Sequence, residues 1–161
     1  MAQEFGNSTD KSAGQLGVDA LRFTLHTFIA VVALAVVVSL FALAHPQDDA
    51  NNPKLFCTAL ALLVPMGVGF LIARVKHDRV AGYVWISGLL TFSVVCVWVL
   101  DLPTGPGLCE KCGAVDKLYR TFFDINNGSG LMGGDGLFVG TWIPLSMIGY
   151  AVGAKLGLGE A

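Results

Sequence analysis

Charge is scarce in this sequence. Asp, Glu, Lys and Arg make up 14% of the 161 residues, and the formal net charge is −2. A soluble domain carries about 25% charged residues, so this chain has too few to cover a surface that faces water. No basic stripe is present, which argues against nucleic acid as a partner. Cysteine is limited to four residues, too few for a disulfide-dense scaffold. Catalytic signatures are missing too: no phosphate-cradling Walker loop, no dinucleotide glycine fingerprint after a strand, no HExxH and no GxSxG. No apolar span has an acidic residue at its centre, which weakens the reading of a proton pump or ion-driven transporter. The two halves show no internal repeat of the transporter kind. These absences argue against an enzyme, and nothing in the sequence requires a cofactor or a metal.

What is present is hydrocarbon. Apolar residues make up 54% of the chain, and its mean hydropathy is +0.66. Apolar stretches near the roughly 20 residues needed to cross 30 Å of lipid occur at about 17–44, 54–75, 80–100 and 136–158. A backbone in lipid must satisfy its own hydrogen bonds, so these β-branched runs are expected as helices despite their strand-like composition. The expected fold is all-α: a polytopic membrane protein of four transmembrane helices (17–161) after a polar cytoplasmic tail (1–16). A long extracytoplasmic loop, 102–135, joins helices three and four. The first stretch ends in Ala-Leu-Ala at 42–44, like a leader cleavage site, but its apolar run of about 22 residues exceeds the 7–15 of a signal core, so it reads as a retained helix. Within the long loop, Val115, Leu118 and Phe122 share one helical face, which predicts a short amphipathic helix on the membrane surface or the bundle.

Lys and Arg near the span ends set the orientation. Lys11, Arg22, Arg74, Lys76, Arg79 and Lys155 fall on one side, against Lys54, Lys111, Lys117 and Arg120 on the other. Both termini are therefore expected in the cytoplasm, with the long loop outside the inner membrane of a bacterium. Tyr83, Trp85, Trp98 and Trp142 lie near span ends and are expected to anchor the helices at headgroup depth.

Cys109 and Cys112, in Cys-Glu-Lys-Cys-Gly, form the most specific motif. An oxidising outer compartment favours a structural disulfide between them. A thiol–disulfide redox pair is the alternative, although no thioredoxin-like context surrounds it. A zinc knuckle would need further ligands. Cys57 and Cys96 sit in apolar runs and read as small buried hydrophobes. The stretch from Asp124 through Asn126, Gly128 and Gly130 to Asp135 has calcium-loop spacing but lacks the expected ligands, and a Gly/Asn-rich turn explains it better.

His26 follows Arg22 by one turn and shares a helix face with Asp19 and Arg22. This pattern admits a cofactor site, with His26 a ligand to haem or pigment, or a donor to a quinone headgroup. The favoured reading is an interfacial Asp19–Arg22 pair beside a satisfied histidine. His45 lies about 100° round the same helix from His26, so the two form no single ligand column. Gly149, Gly153 and Gly157 repeat at four-residue spacing, the small-xxx-small face of a helix that packs closely, either within the bundle or against a partner. The function expected is a non-catalytic accessory subunit of a larger membrane complex, such as a respiratory or photosynthetic energy-transducing one, whose partners are the lipid bilayer and other membrane subunits. The alternatives are a thiol–disulfide carrier using Cys109 and Cys112, and a cofactor-binding subunit using His26.

Overall fold

A computed structural model describes residues 13–44, 54–101, 113–123 and 141–159. The regular elements are α1 (Ala13–Ala44), α2 (Lys54–Lys76), a 3-10 turn (Arg79–Tyr83), α3 (Trp85–Asp101), α4 (Ala114–Phe122) and α5 (Ile143–Leu158). No strand occurs among the described residues. Among the described residues three segments are long and apolar enough to cross a membrane: Gly14–Leu40, Phe56–Lys76 and Arg79–Asp101. The apolar helix α5 is shorter, at 16 residues, which corresponds to about 24 Å of rise.

The helices turn their large apolar side chains outward. On α1, Leu21, Leu25, Phe28, Val32, Val36 and Leu40 are exposed, while His26, Ala30, Ala33, Leu34 and Val37 form the buried stripe. Water would penalise such a surface, whereas lipid tails solvate it, and small residues at the interior let helix backbones approach.

The central helix is α5. Nine of its 16 residues are buried, and it touches α1, α2, α3 and the 3-10 turn. Its tightest neighbour is α2, whose buried face carries Cys57, Ala61, Pro65, Gly69 and Ala73, one small side chain per turn. Gly149 faces the carbonyl of Leu62, Gly153 that of Met66 and Gly157 that of Phe70. Both series advance by four, so the two helices run parallel. A methyl group on Gly153 would overlap the Met66 carbonyl oxygen, and one on Gly157 would lie 2.6 Å from that of Phe70. The glycine face is thus turned to α2, inside the bundle. At the far end of the seam Trp142 is 3% exposed and donates from Nε1 to Thr58 Oγ1 at 2.7 Å. This corrects the expectation of an interfacial anchor there: Trp142 is a core residue, whereas Tyr83, Trp85 and Trp98 are exposed.

α4 is the amphipathic helix expected within the loop. Asp116 accepts from the backbone N–H of Gly113 at 3.2 Å and closes its first turn. Leu118 and Phe122 pack on Val95 and Val99 of α3, and Phe122 meets the Phe92 ring at 4.9 Å. Val115 departs from the expected packed face and is 79% exposed. Lys117 donates to the Leu100 carbonyl at 3.2 Å, satisfying one of the open carbonyls at the end of α3. From Lys117 to Phe122 the partners on α3 move from residue 100 back to residue 92, so α4 runs back along α3, over a rise of about 7.5 Å between those two residues.

Candidate functional site

The buried ionisable chemistry gathers where α1 passes the α2–α3 turn. That turn begins with His77, at φ 47°, a left-handed conformation that lets α2 stop without glycine. Asp78 follows in an extended conformation, and its Oδ1 accepts the Val80 N–H at 3.1 Å, capping the 3-10 turn. The other carboxylate oxygen points to α1. Oδ2 lies 3.4 Å from Nε2 of His26 and 3.9 Å from Nε of Arg22.

His26 is 3% exposed, and Tyr150, on α5, is fully buried. The His26 Nδ1 and the Tyr150 hydroxyl are 2.6 Å apart. The Nε2–H tautomer satisfies both contacts. In it, Nδ1 accepts the tyrosine proton and Nε2 carries its N–H toward Asp78. The imidazole thereby ties three separate segments together: α1, the turn and the central helix. One helical step further, the hydroxyls of Thr27 and Ser87 pair at 3.0 Å, joining α1 to α3. A buried polar group without a partner would cost about 1–3 kcal/mol, so these pairings specify which face of α1 meets the bundle.

Both ring nitrogens of His26 face groups of the same chain. Arg22 approaches Asp78, and its side chain is 55% exposed. Asp78 and Tyr150 are the partners that a reading of helix faces does not supply. One signal does exist: a tyrosine in the middle of an apolar, glycine-rich helix needs a partner for its hydroxyl in hydrocarbon.

Outside this network lies a cleft of about 510 Å³, lined by Asp19 and Arg22 from α1 and by Lys76, His77, Asp78 and Arg79 from the turn. A separate apolar groove of about 280 Å³ runs between α3, α4 and α5, walled by Phe92, Phe122, Phe123 and Ile148 among others. Among the described residues no group of three or more His, Cys, Asp or Glu is placed to hold a metal ion. Cys57 is buried, Cys96 is half-buried, and both are free thiols. The Cys109–Cys112 pair, His45 and the calcium-like stretch from Asp124 to Asp135 lie outside the described residues. The chain matches no protein-family model, no curated protein and no solved structure.

Proposed function

We propose that this chain is a non-catalytic accessory subunit of a larger membrane protein complex, crossing the membrane four times with both termini in the cytoplasm. One observation carries the reading. The buried polar side chains among the described residues, His26, Lys117 and Ser146, are all used to hold structure together. His26 binds Tyr150, Lys117 binds the end of α3, and Ser146 donates to its own helix at Ile143. None of these three residues lines the cleft at the α2–α3 turn or the apolar groove beside α4. Residues 136–158 as a fourth span would rise about 34 Å, enough to cross the hydrocarbon core.

The exposed side of α4 supports a lateral partner. Val115, Tyr119 and Phe123 follow one another at four-residue spacing and are exposed. Purification in a gentle detergent, followed by size analysis and identification of co-purifying chains, tests the proposal. A stable stoichiometric assembly is expected, and a lone monomer in every detergent would refute it. An absorption spectrum of the same preparation separates this reading from a haem or pigment subunit, because no visible band is expected.

A further inference from the structure

We infer that the cleft at the α2–α3 turn is a binding site for the phosphate of an anionic phospholipid. Its walls carry three cationic side chains, Arg22, Lys76 and Arg79, against two carboxylates, Asp19 and Asp78. Asp78 is mostly withdrawn from the cleft. Its side chain is only 10% exposed, one oxygen is bound to the Val80 N–H, and the other faces His26 and Arg22. Lys76 is exposed and makes no ion pair among the described residues, so its ammonium is available at the mouth. Tyr83 closes one side with an exposed ring.

Position selects a lipid over a soluble anion. The cleft lies where two of the membrane-length segments meet, between Lys76 and Arg79, which is headgroup depth. Immediately beside Lys76, Val75 is 88% exposed, and Leu71 is exposed one turn further along α2. A ligand held by its phosphate at Lys76 and Arg22 would lay its acyl chains along that apolar surface. Basic pockets at helix ends recognise anionic headgroups in this way. The inference stands on the cleft alone and does not depend on the accessory-subunit reading.

The test uses the full chain in nanodiscs of phosphatidylcholine containing a minor fraction of phosphatidylglycerol, with retained lipid counted by native mass spectrometry. The wild type is expected to retain phosphatidylglycerol preferentially, about one per chain. Lys76→Gln should weaken that preference by a factor of about five, the contribution of one cation near an anionic surface, and Lys76→Arg should restore it. Arg74→Gln is the control. Its guanidinium sits 5.5 Å from the Phe70 ring centroid, off the cleft walls, so removing the same charge there should leave the preference intact. Equal loss in Arg74→Gln and Lys76→Gln would show a general surface-charge effect and overturn the site. So would the absence of any preference in the wild type. Thermal stabilisation by inorganic phosphate in pure phosphatidylcholine discs, matching that by phosphatidylglycerol, would overturn the lipid assignment.

Discussion

Replacing Gly153 with alanine separates a helix seam from a helix surface. A Cβ there would overlap the Met66 carbonyl oxygen and lie 2.7 Å from the carbonyl carbon and 3.0 Å from Cα. All three are backbone atoms, so no side chain can rotate away. Relief requires α5 to move off α2 by roughly 1 Å, since unstrained carbon contacts sit near 3.5–4.0 Å. Gly149 and Gly157 are in the same register, so that movement loosens contacts along the whole seam. Overpacking of this kind costs about 1–3 kcal/mol, partly offset by the better helix propensity of alanine, worth up to about 1 kcal/mol. The matched substitution is Gly67→Ala on α2, where a Cβ meets nothing within 4 Å. Only the propensity gain applies there, so Gly67→Ala should be neutral or stabilising by up to about 1 kcal/mol. Thermal unfolding in mild detergent, followed by tryptophan emission, reads both variants. Opposite signs are expected. Equal shifts, or a stabilised Gly153→Ala, would mean that α2 and α5 do not approach through this face.

Further outcomes follow from the polar contacts. Tyr150→Phe leaves Nδ1 of His26 buried without its hydroxyl and should cost about 1–3 kcal/mol, whereas Tyr150→Phe with His26→Leu, which also removes the Asp78 contact of His26, should cost less than the sum of the two single losses. Strictly additive losses in that double variant would deny the pairing. Thr58→Val removes the acceptor of the buried Trp142 indole and should destabilise by about 1–3 kcal/mol with a change in tryptophan emission; unchanged emission would place the ring elsewhere. His77→Gly relieves a left-handed backbone and should raise the unfolding temperature slightly, on the order of 1 kcal/mol, while His77→Val should lower it. A reversed order, read from thermal unfolding in the same detergent, would contradict the turn geometry.

How far these features could be read from the sequence depends on their range. The helical class and three membrane-length segments follow from composition and run length, because hydrocarbon admits long uncharged stretches and compels their backbones to bond internally. The helix at Ala114–Phe122 was legible from local periodicity, yet its packed residues were only partly so. Val115, Leu118 and Phe122 share a face on a helical wheel, but only Leu118 and Phe122 pack against α3. Trp142 misled because position along a span does not say which way a ring points; its indole found Thr58, 84 residues earlier.

Sequence alone therefore determined the solvent: long apolar runs with few charges require lipid, and helices follow from that. Folding in three dimensions decided the partners. Tyr150 is 124 residues from His26, and Asp78 enters from a turn between other helices, so no local period could pair them. The glycines on α5 marked a close approach, but only the register against Leu62, Met66 and Phe70 shows that α2 is the helix they admit. A pattern along one chain encodes which faces must be covered, whereas the covering neighbour is selected by shape and hydrogen-bond satisfaction across the assembled bundle.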